Sequence, residues 1–198
     1  MPIVCDMSSE FCSRPIDVKK YGVIFAGAQK NCGPAGNTVV IVRKDLIKKD
    51  KILKITPPVI NYDVVNSSPE QMYNTPTTWS CYMTGLYVEY MNKFGLKFFE
   101  DLAVQRSKLI YDMIDTSGGY YINKIDPKFR SRMNVVFQIV KGEATEKKFL
   151  ADAEKAGFID VSGHRSVGGL RASLYNAMPI EGVQGLVDFM KKFMAENK

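Results

Sequence analysis

Two kinds of hydrophobic pattern alternate along this chain of 198 residues. The first part carries short continuous apolar runs, and the later part carries apolar positions at helical spacing. Residues 3–5, IVC, read as the end of a buried strand with Asp6 at its exit. MSSEF then reads as a turn. Val18 to Ala26 contains the next strand, and Thr38 to Val42 forms another after a bend punctuated by Gly33, Pro34 and Gly36. Runs this apolar suit strands covered on both faces, as in an α/β layer. Residues 56–78, TPPVINYDVVNSSPEQMYNTPTT, hold four prolines and many small polar residues. They read as an extended crossing segment with turns and no evident helix.

Helical spacing follows. One helix runs from Thr78 to Phe94 and stops at Gly95. A second runs from Leu96 to Ile114, with Leu102, Leu109 and Met113 along one side, and ends at Ser117, Gly118 and Gly119. Such stripes read as core packing. Arg132 to Val140 is a strand. Thr145 is a fair N-cap, Glu146 suits the positive end of the helix it opens, and Phe149, Leu150 and Ala153 form the apolar face before Gly157. A strand is expected at Phe158 to Val161. HRSVGGLRASLYN intervenes, and a last helix starts at Pro179, with Ile180, Val183, Val187, Met190 and Met194 at helical spacing. The pattern predicts an α/β fold in two regions, residues 1–76 and 77–198. The first is the remnant of a larger parallel sheet plus the crossing segment, and the second is a smaller α/β domain.

Composition narrows the functional classes. Apolar residues make up 45% and charged residues 24%, an ordinary globular balance. No apolar run reaches the ~18 residues of a membrane helix. MPIVCDMSSE has neither the basic region nor the apolar core of a signal peptide, so a cytoplasmic protein without a membrane role is expected. The net charge of +6 is scattered. Its densest stretch, RKDLIKKDKILK at 43–54, also holds Asp45 and Asp50. A nucleic-acid surface is therefore not expected, and a small anionic substrate fits better. The four cysteines are irregularly spaced and the one histidine is distant, which argues against a zinc site or a disulfide framework. Cys5 and Cys81 are expected to be small buried apolar groups.

Candidate chemistry centres on YGVIFAGAQKNCGPAGNTVVIV, residues 21–42, where Lys30 lies between two core strands among small residues. A phosphate-binding loop needs GxxxxGK with a helix after it. Here the lysine precedes the second glycine group and a β-branched run follows. Lys30 is then either solvated on a tight hairpin or a nucleophilic amine able to attack a carbonyl. Asp6, after a core strand, holds a ligand cation or caps its turn. Asn74 and Thr75 alone read as an ordinary Asn-Thr-Pro turn. His164 alone reads as structural, although His164 with Arg165 could hold an anion.

Four motifs in order carry a resemblance: DMSSEFCSRPID at 6–17, FAGAQKNCGPAG, YNTPTTWSCY, and GHRSVGGLRASLYNA at 163–177. The chain resembles the phosphoserine aminotransferase family, fold-type I enzymes that depend on pyridoxal 5'-phosphate. The resemblance implies that Lys30 binds the cofactor aldehyde as a Schiff base and moves the substrate proton. It implies that Asp6 faces the pyridine nitrogen and Gln29 is a polar neighbour. Asn74 and Thr75 would reach the cofactor phosphate of a neighbouring subunit, which implies a homodimer. Arg171 would grip the substrate α-carboxylate, with His164 and Arg165 near the distal anionic group. The implied reaction exchanges an amino group between glutamate/2-oxoglutarate and 3-phosphohydroxypyruvate/O-phosphoserine, in serine biosynthesis. Family members are nearly twice as long, and this chain matches their C-terminal half or slightly more. The unmatched part would hold the early phosphate loop and the aromatic residue stacked on the cofactor ring. The alternative is accordingly a non-catalytic homologue that keeps partial cofactor or anion binding and dimerisation.

Overall fold

The computed structural model describes residues 1–47 and 52–198. Lys48, Lys49, Asp50 and Lys51, within the basic stretch at 43–54, lie outside the described residues. The chain divides into two compact units, Met1–Leu96 and Lys97–Lys198, so the division falls after the helix that begins at Thr78.

The first unit is built on a sheet of β1 (Val4–Asp6), β2 (Val23–Gly27) and β3 (Thr38–Val42), in that order. β1 pairs with β2 in parallel, with Asp6 opposite Phe25. β2 pairs with β3 in antiparallel, with Gly27 opposite Thr38. The expected parallel remnant is thus mixed. The physical reason lies in the connection, because residues 28–37 form one short turn and parallel neighbours need a longer crossover. Coverage also differs from expectation. Ile24 and Ala26 are buried, whereas Val4 is 63% exposed and Phe25, Val40 and Ile41 are exposed too. Alternate residues of a strand face opposite sides, so among the described residues the side that carries Ile24 and Ala26 is covered better than the side that carries Val4, Phe25 and Val40. Cys32, not Cys5 or Cys81, is the buried cysteine; Cys5 is half-buried and Cys81 exposed.

The proline-rich crossing segment does contain a helix, α1 (Tyr62–Ser67), whose Asn61 cap accepts from the backbone N–H groups of Asp63 and Val64. A six-residue helix between prolines has too few turns to show a period. α2 (Thr78–Phe94) ends at Gly95, φ +78°. Its expected core stripe is not buried within the unit: Ser80 and Met91 are its buried residues, while Trp79, Tyr82, Tyr90 and Phe94 are exposed.

The second unit carries α3 (Leu96–Asp115), β4 (Tyr121–Ile122), β5 (Asn134–Ile139), α4 (Glu143–Lys155), β6 (Leu170–Ser173) and α5 (Ile180–Glu196), and its sheet runs β4-β5-β6. Both pairings are antiparallel. β5 alternates strictly, with Val135, Phe137 and Ile139 buried. These meet Phe149 of α4 and Val183, Val187 and Met190 of α5 in one cluster. Phe149 is fully buried and stacks edge-on against Tyr121, Phe137, Phe189 and Phe193, with centroids 5.0–6.3 Å apart. Burial of such a ring contributes roughly 1.5–3 kcal/mol. On α3 the buried stripe includes Phe99, Ala103, Arg106, Ile110 and the expected Met113; the expected Leu109 packs half-buried against the core and Leu102 is half-buried beside Ala103.

Two boundaries move. α4 begins at Glu143 behind Gly142 (φ +85°), so Thr145 sits inside the helix rather than capping it. Glu146 reaches back to accept from the N–H of Ile139 at 3.0 Å. The strand expected at Phe158 to Val161 is absent. Asp160 takes a left-handed φ of +57°, which breaks the extended run, and only an isolated bridge joins Ser162 to Leu170. The strand forms instead at β6, inside the stretch read as a connection. Among the described residues no helix is long and apolar enough to cross a membrane, and no group of three or more His, Cys, Asp and Glu is placed to hold a metal ion.

Candidate active site

The parallel pairing of β1 and β2 sets the first cluster. Both strands end at the same edge, so the turns that follow them meet there, the usual place for a ligand in a parallel sheet. Asp6 closes β1. Its Oδ1 accepts from the N–H of Ser8 at 2.8 Å and from the Ser8 hydroxyl at 2.6 Å. Those two bonds, and more weakly the nearby Lys30 charge, hold the exposed Asp6 carboxyl below the usual carboxylate range. Ser8 Oγ also accepts from the N–H of Gly27 at 3.0 Å, which ties the two strand ends together. Asp6 therefore orders its own turn while staying anionic.

Lys30 lies in the turn after β2, which closes like one helical turn through Cys32 N–H to the Ala28 carbonyl at 3.2 Å. Lys30 is half-buried and its Nζ donates to Ser9 Oγ at 3.0 Å. Asn31, buried, donates from Nδ2 to the Ser9 carbonyl at 2.9 Å. Lys30 is thus neither a freely solvated hairpin lysine nor, among the described ion pairs, the partner of a carboxylate. Gln29 is exposed and folds over Gly27, where an added Cβ would lie 2.4 Å from Gln29 Oε1. The loop behind Lys30 is braced by α2: Ser80 Oγ donates to the Ala35 carbonyl at 2.7 Å, and Asn37 Nδ2 to Thr84 Oγ1 at 2.9 Å. Gly36 (φ +116°) permits that approach, since a Cβ there would lie 2.6 Å from Ser80 Oγ.

Asn74 and Thr75 are exposed on the approach to α2, and Asn74 Nδ2 donates to the Thr75 carbonyl at 3.3 Å. Among the described residues no hydrogen bond joins them to Asp6, Ser9 or Lys30.

The second cluster lies in the other unit, on the hairpin into β6. Gly163 is needed there, because a Cβ would lie 2.0 Å from the Gly168 carbonyl oxygen. His164 is exposed. Its Nδ1 accepts from the N–H of Ser166 at 3.3 Å and lies 2.7 Å from the Ser166 hydroxyl. A backbone N–H can only donate, so the ring proton belongs on Nε2, which faces away from Ser166. Arg165 is exposed. Arg171 is in β6, opposite Val136, rather than after a strand. It is half-buried, and its Nε is a buried donor with no hydrogen-bond partner. An unpaired guanidinium nitrogen in a partly closed setting fits an anion with two oxygens.

Sequence reasoning missed Ser8, Ser9 and Asn31, which hold Asp6 and Lys30 in place; hydroxyls two and three residues past a strand-end aspartate were the available signal. It also missed Arg106 on α3, which is 1% exposed. Arg106 donates to the carbonyls of Tyr175, Asn176 and Met178 at 2.6–3.1 Å and so secures the turn that follows β6. An arginine at a core position of an apolar stripe was its signal.

The sequence profile of the family described as Aminotransferase class-V matches residues 1–186. The phosphoserine aminotransferase of Laribacter hongkongensis is 48% identical over 194 residues, which is 98% of this chain and 53% of that protein. The solved structure of the phosphoserine aminotransferase from Bacillus circulans subsp. alkalophilus is 42% identical, with a TM-score of 0.92 over 100% of this chain and 54% of its own. A phosphoserine aminotransferase from Trichomonas vaginalis, described as PLP-bound, is 38% identical with a TM-score of 0.89 over 96% of this chain and 53% of its own. The chain thus spans about half the length of the curated relatives it matches. The likeness in fold supports the expected fold-type I architecture.

Proposed function

Because the chain belongs to the class-V aminotransferase family, we propose that it carries the lysine-bearing part of a phosphoserine transaminase. The substrates are glutamate/2-oxoglutarate and O-phosphoserine/3-phosphohydroxypyruvate, and the cofactor is pyridoxal phosphate. The observation that carries this reading is the Asp6–Ser8–Ser9–Lys30 cluster at the shared edge of β1 and β2. The residues suit the cofactor. Lys30 offers an amine held by one hydroxyl, and Asp6 offers a carboxylate kept ionised by Ser8. Lys30 would hold the cofactor aldehyde, Asp6 its ring nitrogen, and Gln29 would stand beside it. Asn74 and Thr75 lie in an exposed segment that suits the phosphate held by a second copy of the chain.

When bound, the cofactor supplies an electron sink that makes an amino acid Cα–H bond acidic. The chain's own residues supply the rest. An anionic Asp6 favours a protonated ring nitrogen through ion pairing. The Lys30 amine takes the Cα proton and returns it, with Ser9 Oγ as its acceptor when idle. Arg171 binds the α-carboxylate through its fork, and the vacant Nε provides one of the two donors. His164 and Arg165, both exposed, provide positive or donor groups toward the phosphate or the side-chain carboxylate. A two-fold homodimer, read by sedimentation, and a cytoplasmic location complete the reading.

The test is reductive trapping. The protein is incubated with pyridoxal phosphate, reduced with borohydride and mapped by peptide mass. Label concentrated at Lys30 supports the reading. Label spread over many lysines, with Lys30 not enriched, overturns it.

A further inference from the structure

The first half of α2 is aromatic where it is exposed and polar where it is covered. Trp79, Tyr82 and Tyr87 are exposed, whereas Ser80 is buried and Thr84 half-buried. Ser80 and Thr84 stand four positions apart and so share one face of the helix. That face lies against the loop 28–37, which carries Lys30. Ser80 Oγ donates to the Ala35 carbonyl at 2.7 Å, and Thr84 Oγ1 accepts from Asn37 Nδ2 at 2.9 Å. A hydroxyl donates as well as accepts, so Thr84 can hold the Asn37 amide in either orientation. Asn37 Oδ1 is a buried acceptor without a partner, so loss of the Thr84 bond would leave that amide unpaired at both ends. The approach is also close. A Cβ on Gly33 would lie 2.4 Å from Thr84 Oγ1 and 3.2 Å from Thr84 Cα, and one on Gly36 would lie 2.6 Å from Ser80 Oγ.

The backbone carries this contact to Lys30. The Asn37 carbonyl accepts from the N–H of Ala28 at 3.1 Å, and the Ala28 carbonyl accepts from the N–H of Cys32 at 3.2 Å, which closes the turn around Lys30. One residue thus joins the Thr84 hydroxyl to the first residue of the Lys30 turn. On the far side of that turn, Lys30 and Asn31 both donate to Ser9. We propose, resting on the reading of Lys30 as the amine that holds the cofactor aldehyde, that Ser80 and Thr84 are positioning residues for Lys30, acting through Ala35 and Asn37. Their two bonds tie a loop with two glycines to a helix of 17 residues, and so remove backbone states that the loop would otherwise sample. With the loop fixed, the amine stays beside Ser9 and meets an aldehyde already oriented. Without the hydroxyls, Gly33 and Gly36 regain their freedom, and the amine leaves Ser9 for solvent more often.

The experiment uses the whole chain and the variants Ser80→Ala, Thr84→Val and Thr84→Ser. Each is labelled with a limiting amine-reactive ester in the absence of cofactor, and separately with pyridoxal phosphate followed by borohydride. Either label blocks trypsin at Lys30, so both are read on the peptide Tyr21–Arg43 and compared with the label at exposed Lys93. In the unaltered chain the ester should modify Lys30 severalfold more slowly than Lys93, and the aldehyde should favour Lys30. Ser80→Ala and Thr84→Val should raise ester labelling of Lys30 severalfold and lower its aldehyde labelling severalfold, with Lys93 unmoved. Thr84→Ser keeps the hydroxyl and should restore both values. A role in general stability alone would not move the two labels in opposite directions at one lysine. Ester labelling of Lys30 that is unchanged in Ser80→Ala and Thr84→Val, or a change that Thr84→Ser shares with Thr84→Val, overturns the assignment. Aldehyde that shows no preference for Lys30 in the unaltered chain overturns the cofactor reading instead, and the ester labelling still decides the roles of Ser80 and Thr84. Should Ser80→Ala not fold, the pair Thr84→Val and Thr84→Ser decides.

Discussion

Ser8 shows how much one hydroxyl can organise. It donates to Asp6 and accepts from Gly27, so one side chain orders the carboxylate and joins the strand ends. Ser8→Ala should raise the Asp6 pKa toward the ordinary value of about 3.9, read by NMR titration of its carboxyl carbon. In the unaltered protein the folded pKa lies below the unfolded one. The stabilisation from ionised Asp6 is therefore present above the unfolded value and lost as pH falls through the folded value. Ser8→Ala should narrow that acid window and cost about 1 kcal/mol through the unpaired Gly27 N–H; an Asp6 titration that does not move would contradict the bond. At Arg171 the unpartnered Nε predicts that Arg171→Ala weakens amino-acid or dicarboxylate binding by about 2–5 kcal/mol. Arg171→Lys should recover little, since an ammonium restores charge without the fork. Calorimetry with glutamate and with O-phosphoserine checks it, and a loss confined to phosphoserine would move Arg171 to the phosphate side.

Elements are held by a few unusual side chains as much as by stripes. Arg106 projects from the buried face of α3 and holds the turn between β6 and α5 through Tyr175, Asn176 and Met178. Burial pushes its guanidinium below the usual arginine range, yet the charge is solvated by backbone carbonyls. Arg106→Met fills similar space but leaves those carbonyls unpaired. It should destabilise the second unit by about 3–5 kcal/mol, the range for breaking a buried charged network, and urea unfolding measures it. An effect under about 1 kcal/mol would mean that water replaces the guanidinium. The strands teach a related lesson. β3 reads from its apolar run, but its direction follows from the ten-residue link 28–37, and β6 is hidden because its pattern of Leu170 and Ala172 is short and flanked by glycines.

Across the molecule, burial is uneven. The second unit has a continuous apolar cluster centred on Phe149 and Met190, both fully buried. In the first unit the covered sheet face is small, and Val4, Phe25, Val40, Trp79 and Tyr82 are exposed. Hydrogen exchange should therefore be slowest at β5, β6 and α5, and faster by orders of magnitude at β1–β3, because local opening follows the apolar area that must be exposed. Exchange mass spectrometry on the intact chain reads this. Protection of β1–β3 equal to that of β5 would indicate that a second copy covers the open sheet face.

The sequence by itself determined the α/β class, the limits of β3 and α2, the face of α5, and the motifs that single out Asp6, Lys30 and Arg171. Those features are local, because strand runs, helix periods and glycine stops act over a few residues. The tertiary structure alone decided the mixed pairing of the first sheet and the place of Arg171 inside β6. It also decided the partnership of Lys30 with Ser9. Each of these depends on residues distant in sequence meeting at one edge or hairpin. No propensity or spacing encodes such a meeting, because it follows from strand pairing and from the turns that the paired strands bring together.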